Sequence, residues 1–300
     1  MLSANRADRL RAVLDPFVAG FDAAGRVAFD PVEAPRSYAD PADQEVAGLL
    51  AAGLAYGRAD LFRPKLFGLL REMGPSPAAF VRAFDPARDG HRFASFGYRF
   101  NLPADIGALL AGAGQVVRTR GSLGAFLGAE YAARGELRPA LAHFSRTIRE
   151  EGARIVAGSM GPTRALEHLL ADADKGGACK RLLLYVRWMV RRDAVDLGTW
   201  AGRIPRSALL IPVDTHVLRV ARLLGLTGRR DASWRTAEEI TASLRRLDPD
   251  DPVRYDFALC HLGMSGACPA RRQRANCLRC PLQRECTAGR RYAVLEAAGG

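Results

Sequence analysis

Apolar residues recur with the period of an α-helix along almost the whole chain. Runs of alternating β-branched residues, which would indicate a sheet, are too short to support strands. The pattern therefore predicts an all-α protein. Up to residue 173 it places helices over residues 7–17, 43–55, 61–73, 77–84, 103–118, 123–133, 138–150 and 165–173, with a proline-containing connector over 29–41.

A turn is predicted at Gly176 and Gly177, because glycine permits backbone angles that are closed to other residues. A new helix starts shortly after this turn. On a helical wheel, the side opposite its apolar residues carries Lys180, Arg187 and Arg191. One basic stripe is therefore expected along this helix.

Asp214 and Thr215 open an amphipathic helix that is predicted to stop at Gly225. In this position Asp214 is well suited to be the helix N-cap, a role that by itself would explain the residue. Thr236 and Glu239 have the spacing of a capping box, which predicts the start of the next helix. The prolines that follow end this helix and begin another, which reaches the neighbourhood of residue 263.

The 300 residues carry a net charge of +12 and a sequence pI near 10, which suits a polyanionic partner such as nucleic acid. The basic residues are 41 arginines and only three lysines, at positions 65, 175 and 180. A coding bias would explain this ratio, yet arginine cannot replace lysine as a nucleophile, which draws attention to each lysine.

No apolar run approaches the roughly 20 residues that span a bilayer, so no membrane partner is expected. Charged residues occupy the N-terminal region where a signal peptide needs its apolar segment, so we expect a cytoplasmic protein with reduced thiols.

Four of the six cysteines form a Cys-x8-Cys-x2-Cys-x5-Cys pattern, which consists of Cys268, Cys277, Cys280 and Cys286. Four thiolates at short, unequal spacings suit the corners of a [4Fe-4S] cluster. Structural zinc is the alternative, although zinc ribbons normally use two Cys-x2-Cys pairs and only one is present. The remaining cysteines, Cys179 and Cys260, are expected to be small buried apolar residues.

Arginines interrupt the cysteine loop, at Arg271, Arg272, Arg274, Arg279 and Arg284. Guanidinium groups held on a rigid loop would suit contacts with phosphates. An ordinary solvated loop is the alternative. The sequence leaves both interpretations open.

The segment Val213-Asp214-Thr215-His216, followed by two helices and the four-cysteine loop, resembles the C-terminal half of the helix-hairpin-helix-GPD DNA glycosylases, in their endonuclease III and MutY branch. The resemblance covers about residues 178–286. The chain departs from that pattern by two extra residues in the first cysteine interval and by a degenerate hairpin turn at 176–180. As a whole, including Ala55-Tyr56-Gly57-Arg58, it is similar to the bacterial family DUF2400.

The glycosylase resemblance implies a two-lobed all-α fold, with a central lobe over 43–192 and a terminal lobe formed by 1–42 and 193–300. Double-stranded DNA would lie between the lobes, and a damaged or mispaired base would be flipped towards Asp214 and Lys180. The implied activity is that of a base-excision-repair glycosylase, with Asp214 as the essential carboxylate and Lys180 as the nucleophile of an additional lyase step. A first-turn lysine that is merely solvated is the alternative for Lys180.

The resemblance also suggests DNA contacts outside the cysteine loop, from Gly176, Gly177, Arg187, Arg191 and Arg219. Tyr56 and Arg58 would line the base pocket, although Tyr56 would equally suit a core position. His216 is expected to be a hydrogen-bonding neighbour. We expect a monomer associated with the nucleoid. Two rival functions stay open: a non-catalytic iron-sulfur protein that binds DNA or senses damage, and a zinc-stabilised interaction module.

Overall fold

The computed structural model describes residues 2–158 and 161–297, and the described chain is helical without strands, which confirms the predicted all-α class. None of its helices is long and apolar enough to cross a membrane. The α-helices are Ala4–Ala19, Ala23–Val27, Glu33–Arg36, Pro41–Leu54, Ala59–Met73, Pro77–Ala83, Pro86–Asp89, Pro103–Arg120, Leu123–Arg134, Leu137–Ala157, Arg164–Leu169, Lys180–Val190, Thr215–Leu224, Trp234–Arg245, Asp256–Met264, Arg274–Leu278 and Thr287–Ala297. Short 3₁₀ helices cover Gly90–Phe93, Ala173–Lys175, Arg206–Ala208 and Gln283–Glu285.

The chain divides into two compact units. The terminal unit contains the residues up to Ala23, the segment Gly176–Leu183 and the residues from Leu209 onwards. The central unit contains Ala24–Lys175 and Leu184–Ala208. These bounds differ from the predicted lobes, because the turn at residues 176–183 groups with the terminal unit while residues 24–42 and 193–208 group with the central unit.

Local contacts account for both differences. The carbonyl of Gly176 accepts a hydrogen bond from the backbone N–H of Trp234 at 3.1 Å, which ties the turn to the terminal unit. Arg36 donates to the carbonyl of Val195 at 2.9 Å, which joins the two reassigned segments within the central unit.

The core of the central unit is built on two helices, Pro103–Arg120 and Leu137–Ala157, that approach each other through glycines. A Cβ atom added at Gly112 would lie 1.9 Å from the carbonyl oxygen of Ile148, and one added at Gly152 would lie 1.9 Å from that of Ala108. Only glycine fits at these two positions, because real Cβ atoms never come this close to a backbone oxygen.

The helix Trp234–Arg245 of the terminal unit begins three residues earlier than the predicted capping box implied. Its N-cap is Ser233, whose hydroxyl accepts from the backbone N–H of Thr236 at 3.3 Å. Thr236 lies inside the helix, and Glu239 accepts from the Thr227 hydroxyl at 3.0 Å. The predicted box of Thr236 and Glu239 was therefore wrong.

Candidate functional site

Asp214 is the N-cap of the helix Thr215–Leu224, as the sequence predicted. Its Oδ1 accepts hydrogen bonds from the backbone N–H groups of His216 at 2.9 Å and Val217 at 2.8 Å. The helix forms here because its apolar residues recur on one buried face and because Gly225, with φ of +73°, ends it in the left-handed conformation. Two donors fix Oδ1, so the carboxylate has one oxygen left for another partner.

That partner is Lys180, the first residue of the helix Lys180–Val190. Its Nζ donates to Asp214 Oδ2 at 2.8 Å, although 34 residues separate the two in sequence. The Lys180 side chain is 34% exposed and that of Asp214 is 14% exposed. The structure thus brings the two predicted catalytic residues together at a place that solvent reaches.

Each member of the pair stabilises the charged form of the other. Burial alone would lower the pKa of Lys180, but the negative charge of Asp214, with a smaller effect of Cys260, raises it above its ordinary value. Burial alone would raise the pKa of Asp214, but the Lys180 ammonium group lowers it. At neutral pH, therefore, the pair consists of an ammonium group and a carboxylate.

Cys260 is a third member of the site, although the sequence predicted a small buried apolar residue at this position. Its Sγ lies 3.8 Å from Asp214 Oδ2, and the residue is half-buried. It lies on the helix Asp256–Met264, which approaches the Asp214 helix closely at Gly263. A Cβ atom added at Gly263 would lie only 2.8 Å from the Cβ of His216. No motif marks a contact of this kind in a single sequence.

The turn that precedes Lys180 contains two residues with left-handed backbone angles, and only one of them is a predicted glycine. Gly176 has φ of +78°, whereas the second positive φ, of +46°, belongs to Cys179. Gly177 is exposed and forms an isolated bridge with Ser233. A non-glycine residue in this region stores about 1–2 kcal/mol of strain, here directly before the candidate lysine.

The four cysteines of the predicted metal site all line one small cavity in the terminal unit. They form no disulfide. Burial raises the pKa of Cys268, Cys277 and Cys280, and the neighbouring cysteines of the loop add to that rise, whereas Arg219 opposes it at Cys268.

This donor set fits an iron-sulfur cluster or zinc, since both favour several thiolates on one cavity. As the side chains stand, the described residues contain no group of three or more His, Cys, Asp or Glu that is close enough together to hold a metal ion. Metal binding by the four cysteines consequently stays a prediction.

Arg219 connects the Asp214 helix to the start of the cysteine loop. Its guanidinium donates to the carbonyl of Gly263 at 2.9 Å and to that of Cys268 at 2.7 Å, and it contacts His216 Nδ1 at 3.3 Å. These contacts fit the neighbouring role expected for His216. The loop arginines are exposed to solvent, namely Arg271, Arg272, Arg274, Arg279 and Arg284.

Arg187 and Arg191 do not occupy the exposed stripe that was predicted for DNA contacts. They are only 2% and 6% exposed and lie in the central unit. Both pair with the buried Asp196, which Arg187 Nε contacts at 3.2 Å, and Arg191 also contacts Asp193 at 2.9 Å. The prediction that Arg187 and Arg191 contact DNA is corrected accordingly, because Asp196, from the loop that follows the helix, covers the polar side of the helix.

The predicted base-pocket residues, Tyr56 and Arg58, lie in the central unit and are both engaged within it. The half-buried Tyr56 donates through its hydroxyl to Asn101 and packs its ring 4.6 Å from that of His168. Arg58 is exposed and bonds twice to Asp60, at 2.6 and 3.0 Å. Tyr56 is therefore an aromatic residue anchored within the central unit, and its role in a base pocket stays a prediction.

The comparisons with known proteins identify a family but no activity. No curated protein and no solved structure matches the chain. The matched family is described as "Protein of unknown function (DUF2400)", and its model ends before the first cysteine of the candidate metal site. Because this model matches residues 30–265, well over half of the sequence, the chain belongs to the DUF2400 family.

Proposed function

We propose that the protein is a DNA glycosylase of base excision repair, which removes a damaged or mispaired base from double-stranded DNA. The observation that carries the proposal is the Lys180–Asp214 contact at a partly exposed helix N-terminus. A carboxylate and an amine from distant parts of the sequence are held together there. This is the combination that cleavage of an N-glycosidic bond uses.

Asp214 supplies the negative charge in this reaction. As the bond between base and sugar breaks, positive charge develops on the deoxyribose, and a fixed carboxylate stabilises it. The two backbone N–H groups on Oδ1 hold the carboxylate in place. Because the pKa of Asp214 is lowered, the group is ionised at neutral pH.

Lys180 carries a proton in the free protein, since its pKa is raised. The ammonium form cannot attack the sugar, because an amine needs a free lone pair to form a covalent intermediate. Hydrolysis assisted by Asp214 is therefore the primary reaction that we propose. A lyase step requires Lys180 to lose its proton when DNA separates the pair, so trapping of a covalent adduct should increase at alkaline pH.

We further propose that Cys268, Cys277, Cys280 and Cys286 hold a [4Fe-4S] cluster, with zinc as the alternative metal. When bound, the cluster supplies structural rigidity, because four protein thiolates leave no open ligand position for a substrate. The exposed arginines of the loop then contact DNA phosphates. A metal assay of the anaerobically purified protein, combined with its absorption spectrum, distinguishes iron and sulfide from zinc.

The test compares the wild-type protein with Asp214→Asn on a panel of duplexes that each contain one damaged or mispaired base. We expect excision by the wild type, loss of excision in Asp214→Asn and equal DNA affinity in both. The exposed Asp250→Asn is the matched control, with unchanged excision. If the wild type binds damaged duplexes but excises none across the panel, the non-catalytic damage-sensing function replaces this proposal.

Borohydride trapping then separates the two chemical routes. A covalent adduct with the wild type, absent in Lys180→Met, supports the lyase step. Excision without any adduct leaves Asp214 as the sole catalytic residue of a monofunctional enzyme.

A further inference from the structure

A cavity of about 460 Å³ opens beside the Asp214 helix in the terminal unit. Its polar lining consists of Thr215, Thr227, Thr287, Arg219, Arg222 and Arg272. Thr215 is the residue directly after Asp214. In the described chain, no Asp or Glu side chain lines this cavity.

The three arginines of the cavity are not neutralised by a carboxylate of the described chain, since the nearby Glu239 bonds to Thr227 and Gly228 and pairs with Arg229. Arg219 bonds to the carbonyl oxygens of Gly263 and Cys268, which are neutral acceptors and leave its charge intact. Arg222 and Arg272 are exposed, and neither forms an ion pair with a carboxylate of the described chain. Elsewhere in the protein many arginines are paired with carboxylates, for example Arg187 with Asp196.

We propose that this cavity binds a phosphate group. Phosphate is the anion that matches several guanidinium groups together with the hydroxyl donors of Thr215 and Thr287, because it accepts many charge-assisted hydrogen bonds at once. The phosphate has two possible sources, a phosphodiester of the DNA backbone or a free phosphate. The DNA source rests on the proposed function, and it places a backbone phosphate beside the residue that follows Asp214.

Arg222 is the best probe, because it is exposed and lies outside both the cysteine loop and the Lys180–Asp214 pair. The exposed Arg235, on the helix Trp234–Arg245, loses the same charge away from the cavity and serves as the control. The variants are Arg222→Gln, Arg222→Lys and Arg235→Gln, each in the full chain with its metal content measured.

The DNA arm measures fluorescence anisotropy of an undamaged duplex over a salt series. Loss of one phosphate contact should weaken binding roughly tenfold at low salt and reduce the slope of log affinity against log salt by about 1. We expect this change for Arg222→Gln, with partial recovery in Arg222→Lys and no change for Arg235→Gln.

The free-phosphate arm measures the melting temperature in inorganic phosphate against sodium chloride of equal ionic strength. If phosphate raises the melting temperature of the wild type and of Arg235→Gln but not that of Arg222→Gln, the cavity is a site for free phosphate. An effect of Arg222→Gln in the DNA arm alone assigns the cavity to the backbone.

If Arg222→Gln and Arg235→Gln behave alike in both arms, the inference is overturned. Failure of the glycosylase proposal looks different, since it concerns excision and Asp214. A protein that excises no base but shows either Arg222-dependent effect keeps the phosphate site and loses the proposed activity.

Discussion

Substitutions of Asp214 separate its two structural roles, because one oxygen caps a helix and the other binds Lys180. Asp214→Asn keeps an oxygen acceptor at the N-cap, where asparagine performs as well as aspartate, but removes the charge. Asp214→Ala removes both the oxygen acceptor at the N-cap and the charge. Lys180→Met removes the ammonium group and keeps most of the apolar stem.

The expected magnitudes follow from burial. Loss of an N-cap costs about 1 kcal/mol. Breaking a fully buried ion pair costs about 3–5 kcal/mol, but Lys180 is 34% exposed, so water screens the pair and we expect about 1–2 kcal/mol. The free energy of unfolding should therefore fall by about 1–2 kcal/mol in Asp214→Asn and by about 2–3 kcal/mol in Asp214→Ala.

Urea unfolding followed by far-UV circular dichroism measures these differences. The double-mutant cycle of Asp214→Asn with Lys180→Met isolates the coupling between the two side chains, which should be about 1–2 kcal/mol. A coupling near zero would refute the ion pair. Equal losses in Asp214→Asn and Asp214→Ala would refute the capping role.

Three further predictions test the surroundings of the pair. Gly263→Ala forces a Cβ against that of His216 and should lower the free energy of unfolding by about 1–3 kcal/mol; unchanged urea midpoints would contradict the close approach. Asp196→Asn leaves two buried arginines without their charged partner and should cost about 3 kcal/mol, while the affinity of the folded fraction for DNA stays unchanged, which an anisotropy titration checks. Because its pKa is lowered in the folded protein, Asp214 stabilises the fold at pH values above its unfolded pKa of about 3.9, and this stabilisation is lost as the pH falls through the folded pKa of Asp214. Because its pKa is raised in the folded protein, Lys180 stabilises the fold at pH values below its unfolded pKa of about 10.4, and this stabilisation is lost as the pH rises through the folded pKa of Lys180. The stability difference between wild type and Asp214→Asn, measured by urea unfolding across pH, should thus be constant between about pH 5 and 9 and shrink below about pH 4.

Local signals in the sequence were sufficient to predict a helix start where a single residue determines the cap. The helix predicted over 43–55 is found at Pro41–Leu54, where Asp40 caps the start and proline occupies the first position. Asp214 was predicted as an N-cap because the apolar periodicity begins directly after it, and it is one. The start of the helix after Ser233 was misplaced because Ser233 and Thr236 both satisfy the same local rule.

Contacts between residues that are distant in sequence could not be predicted from such local signals. A helical wheel shows that Arg187 and Arg191 share a polar side, but it cannot show that Asp196, from the loop that follows, buries that side. The contact of Cys260 with Asp214 joins residues 46 positions apart and depends on the packing of two helices at Gly263. The nearness of Lys180 to Asp214 was expected from the family resemblance alone.

We propose that this site breaks the bond between a base and its sugar. Direct chromatographic detection of the free base, released under single-turnover conditions from lesion-containing duplexes, tests it without relying on strand cleavage. We expect release by the wild-type protein and loss of release in Asp214→Asn at equal DNA occupancy. Equal release by both proteins would contradict the role of Asp214.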